Sequence, residues 1–541
     1  MSSADDSTNL RRDRLTATNS AIAGRFAPGF PSAFSSGSCR PHRTQAVLQP
    51  AVLYIAQYTN PGVLAVTAVK HRQALNSPAA DWFSADMLFF APLPVSHQGN
   101  RMKSVVTPRP EKPLLSIESM TNLLRALLVL CLCQATTALA REPDATPEEV
   151  GLSAERLGRF ADFTQAMVDS RKIPGATIAV SRFGKLAYFE TFGWADIDGR
   201  KPTRPDTIYR LHSMTKPLFA VATMTLVEEG RLRLQDPISS FIPEFADVKV
   251  LAGGTADAPE LEEPRSAPTV AQLLSQTAGI AIGIDMFAPK TIAEIYRKAP
   301  YWDGSPNAQE VARRIARLPL AGHPGEIFIY GASFDVLARV LEVASGQPLD
   351  AFLSERLLEP LGMTDTFFIV PEDKLHRFSK SYDITGPGSL QAVTRADHTA
   401  RWQPGIRFLS PNSGLVSTVS DYLRFAQMML NGGELDGARI VSRKTIELLT
   451  AVVVENGDAA LLRTELPGYG YSLGFGVLED LAGSGKPGTP GQYEWAGAGD
   501  TYFFVDPTEQ LIGMFFTQVY PAGTYKLREW LPTLTYQALI D

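Results

Sequence analysis

Between Glu148 and Ser170 the apolar positions Leu152, Leu157, Phe160, Phe163 and Met167 recur at helical spacing, which predicts one amphipathic helix. Two β-rich runs follow, Ala176–Ser181 and Lys185–Phe192, and the break at Phe183-Gly184 predicts a hairpin. Pro217–Glu229 reads as an apolar helix closed by Gly230. From about 235 to 450 the pattern is mostly helical, clearest at 308–317, 334–344 and 420–430, with Pro- and Gly-rich loops between. After Gly468 strand patterns return at 471–479, 493–505 and 511–519, and a last helix starts near Tyr525. Strands at both ends with helices between predict an α+β fold. In it the two ends pair into one antiparallel sheet, the middle forms a helical lobe, and a site lies in the cleft between them.

The first 119 residues show no sustained period of 2 or 3.6 and read as a disordered or non-native N-terminal extension. Met120 then opens a short basic start, an apolar run over 126–133 and an Ala138-Leu-Ala140 end, the parts of a secretory signal peptide over 120–140. The run is too short for a transmembrane helix, which needs about 20 residues. Neither Cys131 nor Cys133 follows a small residue as lipoprotein processing requires. The expectation is therefore an exported protein, periplasmic or secreted, without a stable membrane anchor, whose mature domain spans 141–541.

Charge narrows the partners. Residues 1–119 carry 12 Lys/Arg against 7 Asp/Glu, leaving 39 against 50 in the remainder, a net of −11. An acidic body of this kind argues against nucleic acid and anionic membrane as partners. All three cysteines precede residue 141, so the remainder holds no disulfide, zinc-thiolate cluster or cysteine nucleophile. No metal cluster, P-loop or dinucleotide fingerprint appears, and no cofactor or metal is expected.

Candidate chemistry begins at Leu211-His-Ser213-Met-Thr-Lys216. Helical neighbours three apart share a face, so Lys216 can reach Ser213 and take its proton. Ser213 also falls at a helix start, where the dipole favours an oxyanion. Tyr330 lies between the Pro324-Gly turn and the next helix, placed to project into a cleft as a base. In Glu494-Trp495-Ala-Gly497-Ala498-Gly, small residues let a substrate approach backbone N–H groups. Each pattern alone also fits an incidental surface pair, a packed phenol or a Gly-rich bulge.

Ser213-x-x-Lys216, Tyr330 and Trp495-Ala-Gly497, in this order and spacing, resemble the three motifs of the serine β-lactamase and penicillin-binding-protein superfamily. The resemblance is closest to class C-type β-lactamases and, above all, family VIII carboxylesterases. It extends to Pro205–Pro217, Val227–Pro237, Pro360–Asp365 and Asn431–Gly437, covering nearly all of 149–541 and none of 1–140. It implies a β-lactamase-like fold, Ser213 as acylated nucleophile, and Lys216 with Tyr330 as general base. The backbone N–H groups of Ser213 and Ala498 would form the oxyanion hole, beside Trp495 and Gly497 as substrate-binding positions. Which of Lys216 and Tyr330 is the principal base stays open.

The departures from that pattern direct the substrate. Ala332 replaces the Asn of Tyr-x-Asn, and Trp495-Ala-Gly497 stands where β-lactamases carry Lys-Thr-Gly; both remove contacts to an anionic lactam. Gln276-Thr-Ala-Gly279 replaces a frequent His-Thr-Ser-Gly. Gly470-Tyr-Ser472-Leu-Gly474 fits the G-x-S-x-G elbow, but a strand pattern follows it and the last histidine is His398, so Ser472 is not expected to be a nucleophile. His212 is expected to point about 100° away from Ser213 on a helix, and His323 and His376 to be structural or exposed. The expected activity is hydrolysis of a small-molecule carboxylic ester. The alternatives are β-lactamase or DD-peptidase chemistry, acyl transfer, and a catalytically silent binding protein of the same fold.

Overall fold

The structure, a computed structural model, describes residues 142–302, 307–395, 401–457, 464 and 466–541, together with the backbone of two strands nearer the start. Those two, Val52–Tyr58 and Leu64–Lys70, form an antiparallel hairpin in a unit of its own. The run Val52-Leu-Tyr-Ile-Ala has apolar residues at successive positions, so no alternation announces it. The expected signal segment 120–140, Cys39, Cys131, Cys133 and His398 lie outside the described residues.

The rest is built on an eight-stranded antiparallel sheet. Its strands are β1 (Gly175–Arg182), β2 (Lys185–Asp196), β3 (Lys201–Pro202), β4 (Tyr469–Tyr471), β5 (Gly476–Leu478), β6 (Tyr493–Ala496), β7 (Tyr502–Asp506) and β8 (Leu511–Phe516). The order across the sheet is β4-β5-β6-β7-β8-β1-β2-β3. The two chain ends therefore meet at β8 and β1, in register from Leu511 opposite Arg182 to Phe516 opposite Thr177. The β1–β2 turn places both Phe183 and Gly184 at positive φ, 52° and 75°, as a tight two-residue hairpin turn requires.

Both faces of the sheet are covered. Helices α1 (Ala154–Asp169) and α5 (Leu527–Tyr536) pack Phe160 and Leu531 on one face against Ile178, Val180, Phe504 and Phe515. Ala179, Phe503, Met514 and Phe516 point the other way, into the core of the helical lobe with Tyr422 of α4 (Val419–Leu430). Successive side chains alternate between two cores, so β1 and β8 are buried at every position. This is the predicted α+β, β-lactamase-like architecture.

The helical lobe holds α2 (Thr215–Glu228) and α3 (Ser333–Ser345). In α2, twelve successive residues from Thr215 to Leu226 are buried. A helix apolar all round belongs in a core, and α2 carries Lys216 into it. Among the described residues no helix is long and apolar enough to cross a membrane.

Three predicted elements need correction. The helix expected over 148–170 begins at Ala154. A short 3-10 turn over Pro147–Val150 ends at Gly151, whose φ of 70° stops it, and the Ser153 Oγ caps α1 by accepting from the Arg156 N–H. The single strand expected over 493–505 is a hairpin, with Tyr493 opposite Val505. Its turn closes through Gly497 N–H to the Thr501 carbonyl, at 2.8 Å, and Asp500 sits at φ 61°. The strand expected over 471–479 bends at Gly474 (φ 102°) into β4 and β5.

Candidate active site

The Ser213 segment is anchored before the helix starts. Tyr209–Arg210 pairs with Val416–Ser417, and the Leu211 N–H donates to the Leu415 carbonyl at 2.9 Å. His212 then takes φ 48°, a conformation uncommon for a residue with a side chain. Ser213 follows in a short 3-10 turn that runs directly into α2. Lys216, fully buried, donates from Nζ to Ser213 Oγ at 3.2 Å and to the Asn412 carbonyl at 2.8 Å. Among the described residues no carboxylate lies within ion-pair distance of it.

Tyr330 joins through its ring face, with Lys216 Nζ 4.5 Å from the ring centroid. The Tyr330 hydroxyl accepts from Trp495 Nε1 at 3.3 Å, and Trp495 packs in turn on Tyr471. Tyr330 is held on both sides by Gln276, whose backbone carbonyl accepts from the Ile329 N–H at 2.9 Å and whose Oε1 accepts from the Gly331 N–H at 3.1 Å. Gly331 has no alternative, because a Cβ there would lie 2.2 Å from the Ile280 carbonyl.

On the sheet side, the β6–β7 turn presses on the Ser213 segment. A Cβ on Gly497 would sit 2.2 Å from the Leu211 carbonyl, so only glycine permits this approach. Ala498, next in the turn, is exposed, and among the described residues its N–H has no protein acceptor.

Ser213, Lys216, Tyr330 and Ala498 line one cavity of about 930 Å³, whose walls include Ile284, Phe287, Trp302 and Phe408. Trp495 and Gly497 do not line it. Trp495 supports Tyr330 from behind, and Gly497 sets how closely the turn approaches. His212 does line the cavity, contrary to the expectation that it points away, because its positive φ takes it off a helical path. Its Nε2 hydrogen-bonds the Tyr520 hydroxyl and its ring meets the face of Trp402 edge-on. Ser472 is buried at the bend between β4 and β5, with its hydroxyl on the Phe475 carbonyl at 3.2 Å. His323 lies 3.2 Å from Glu262, and His376 Nδ1 is 2.8 Å from the Asp373 carbonyl. Among the described residues no group of three His, Cys, Asp or Glu is placed to hold a metal ion.

Two residues at the site escaped the sequence reading. Gln276 showed only as a departure from a motif, and its work is to clamp Tyr330. Asp335, in the first turn of α3, lines the cavity and accepts from Ser410 Oγ at 2.5 Å and from the Tyr301 hydroxyl at 3.4 Å. Burial pushes its carboxyl above the usual range, opposed by the Ser410 hydrogen bond and by the charges of Arg401 and Lys216. Ser410 opens the loop that presents the Asn412 carbonyl to Lys216, so Asp335 steadies that loop. An aspartate five residues after a tyrosine carries no signal of its own.

A serine and a lysine one helical turn apart, at the foot of a buried helix and facing a turn of an antiparallel sheet, define a serine hydrolase of the β-lactamase type. The chain belongs to the Beta-lactamase family, whose sequence profile matches residues 160–534. It is 33% identical over 362 residues to Protein Rv1367c of Mycobacterium tuberculosis, covering 65% of this chain and 88% of that one. To Esterase EstB of Burkholderia gladioli it is 30% identical over 389 residues, 68% of this chain and 91% of the other. Among solved structures its fold is like that of EstCE1, described as a hydrolase with promiscuous acyltransferase activity. The TM-score there is 0.61, with 24% identity, over 72% of this chain and 99% of that one.

Proposed function

We propose that the protein is a serine esterase that cleaves carboxylic esters through an acyl-enzyme on Ser213. The observation that carries this reading is the 3.2 Å contact between Lys216 Nζ and Ser213 Oγ inside a cavity that Ala498 also lines. In the acylation step Ser213 Oγ bonds to the ester carbonyl carbon and its proton passes to the Lys216/Tyr330 pair. The carbonyl oxygen gains charge facing the N–H groups of Ser213 and Ala498. The C–O bond to the alcohol then breaks, and the alcohol leaves with the proton held by the pair. Water repeats the sequence on the acyl-enzyme and releases the acid.

Two features favour esters over β-lactams. Ala332 offers no side-chain amide, its buried N–H being spent on the Ala281 carbonyl at 3.2 Å. The strand at 495–497 offers no lysine or threonine to a carboxylate. The similarity to Esterase EstB points the same way. A cavity of about 930 Å³ lies near the upper end of the usual range for drug-sized ligands, so esters with bulky apolar groups fit as well as small ones.

The test is turnover of 4-nitrophenyl butyrate beside a chromogenic cephalosporin, with intact-mass detection of the acylated protein. Ester turnover with a transient acyl adduct on the peptide containing Ser213 is the expected result. Faster cephalosporin hydrolysis would replace the reading with a lactamase, and no adduct with either probe would leave a silent binding protein. Export rests on the 120–140 pattern alone, so we propose a mature N-terminus near Arg141. A secreted or periplasmic product whose first residue lies well before 120 would defeat that proposal.

A further inference from the structure

We propose that Arg528 is a positioning residue of the oxyanion hole, holding and polarising the one peptide unit whose N–H belongs to Ala498. This rests on the esterase reading above. The Gly497 carbonyl and the Ala498 N–H are the two ends of a single trans peptide, so they point in opposite directions. Arg528, in the first turn of α5, donates from Nη2 to the Gly497 oxygen at 2.8 Å. The Asp500 N–H donates to the same oxygen at 3.0 Å. With its carbonyl held by one donor from α5 and one from the turn itself, the peptide is kept from turning over, and its N–H is left toward the cavity that Ala498 lines.

Arg528 is itself braced. Its Nε lies 3.5 Å from Asp500 Oδ1, and Asp500 is a buried carboxylate whose two oxygens accept from the Gly523 N–H at 3.0 and 3.1 Å. The chain of contacts runs from a buried anion through a guanidinium to a carbonyl, and across the peptide to the N–H. A cationic donor on the carbonyl draws electron density along the peptide and strengthens the N–H as a donor. Fixed donors aimed at developing charge need no reorganisation during the reaction. Arg528 touches neither Ser213 nor the reacting atoms; it acts through Ala498.

The experiment uses the full chain as wild type, Arg528→Lys and Arg528→Ala. It reads kcat and KM on 4-nitrophenyl butyrate, inhibition by an alkyl boronic acid that forms a tetrahedral adduct, the melting temperature, and the ¹⁵N shift of the Ala498 amide. Arg528→Ala is expected to lower kcat by about 10- to 100-fold with KM changed less than about twofold. Boronate inhibition weakens by the same factor as kcat. The Ala498 amide moves upfield, added methylguanidinium restores part of the rate, and Arg528→Lys falls between. A folded variant with unchanged kcat and an unmoved Ala498 amide overturns the proposal, as does an effect on KM alone. If Arg528→Ala does not fold, Arg528→Lys decides by the same readings. Should the wild type hydrolyse no ester, the esterase reading fails, while the Ala498 shift still decides whether Arg528 governs that peptide.

Discussion

Ser213→Ala lowers ester turnover by about ten-thousand-fold or more and removes the acyl adduct, while the protein melts at nearly the wild-type temperature. Ser213 is only partly buried and, among the described residues, its hydroxyl hydrogen-bonds Lys216 alone, so little packing depends on it. The proposed chemistry does, because among the described residues lining the cavity Ser213 is the hydroxyl that hydrogen-bonds the lysine. The comparison that gives this force is Ser472→Ala. Its hydroxyl is buried on the Phe475 carbonyl, so removing it costs about 1 kcal/mol of stability and leaves turnover within a few-fold of wild type. Parallel rate and melting measurements on both variants decide it. Turnover that survived Ser213→Ala, or disappeared in a well-folded Ser472→Ala, would defeat the mechanism.

Lys216→Met should cost about a thousand-fold in acylation rate, within the range for loss of a positioned base. Methionine fills much of the space of the lysine stem and can lie against the rings of Tyr330 and Phe334 as Lys216 does. The single lost partner of consequence to folding is the Asn412 carbonyl. Leaving that carbonyl without its donor costs about 1–3 kcal/mol, so stability should fall modestly while chemistry fails. Single-turnover acylation by 4-nitrophenyl butyrate, beside thermal melting, separates the two. A loss of stability with retained acylation rate would make Lys216 a structural residue and leave Tyr330 as the base. Tyr330→Phe completes the comparison, since it keeps the ring that meets Lys216 and removes only the hydroxyl bonded to Trp495.

Much of this site was legible because its chemistry is local. Ser213 and Lys216 are three residues apart, and helical geometry alone brings them together. The hairpin at Phe183-Gly184 and the caps and stops of the helices are likewise written within a few residues, which is why the main elements were placed within a few positions. Errors fell where a local pattern has two readings. Tyr493–Val505 reads as one run across the Gly497-Ala-Gly-Asp500 stretch, which a bulge explains as well as a turn, and the pairing of Tyr493 with Val505 shows that it is the turn that presents Ala498.

By itself the sequence determined the order of elements, the meeting of the two ends in one sheet, the Ser213–Lys216 pair proposed as nucleophile and base, and the family. Each follows from a period, a short spacing or a motif, all properties of neighbouring residues. The tertiary structure decided the rest. Gln276 clamps Tyr330 from 54 residues away in the chain, Asp335 holds the Ser410 loop from 75, and Arg528 reaches the Gly497 carbonyl from 31. No period or motif encodes such approaches. They exist because burial of two apolar cores closes the lobes on each other, and the polar groups trapped at the seam must then find partners or pay the cost of desolvation.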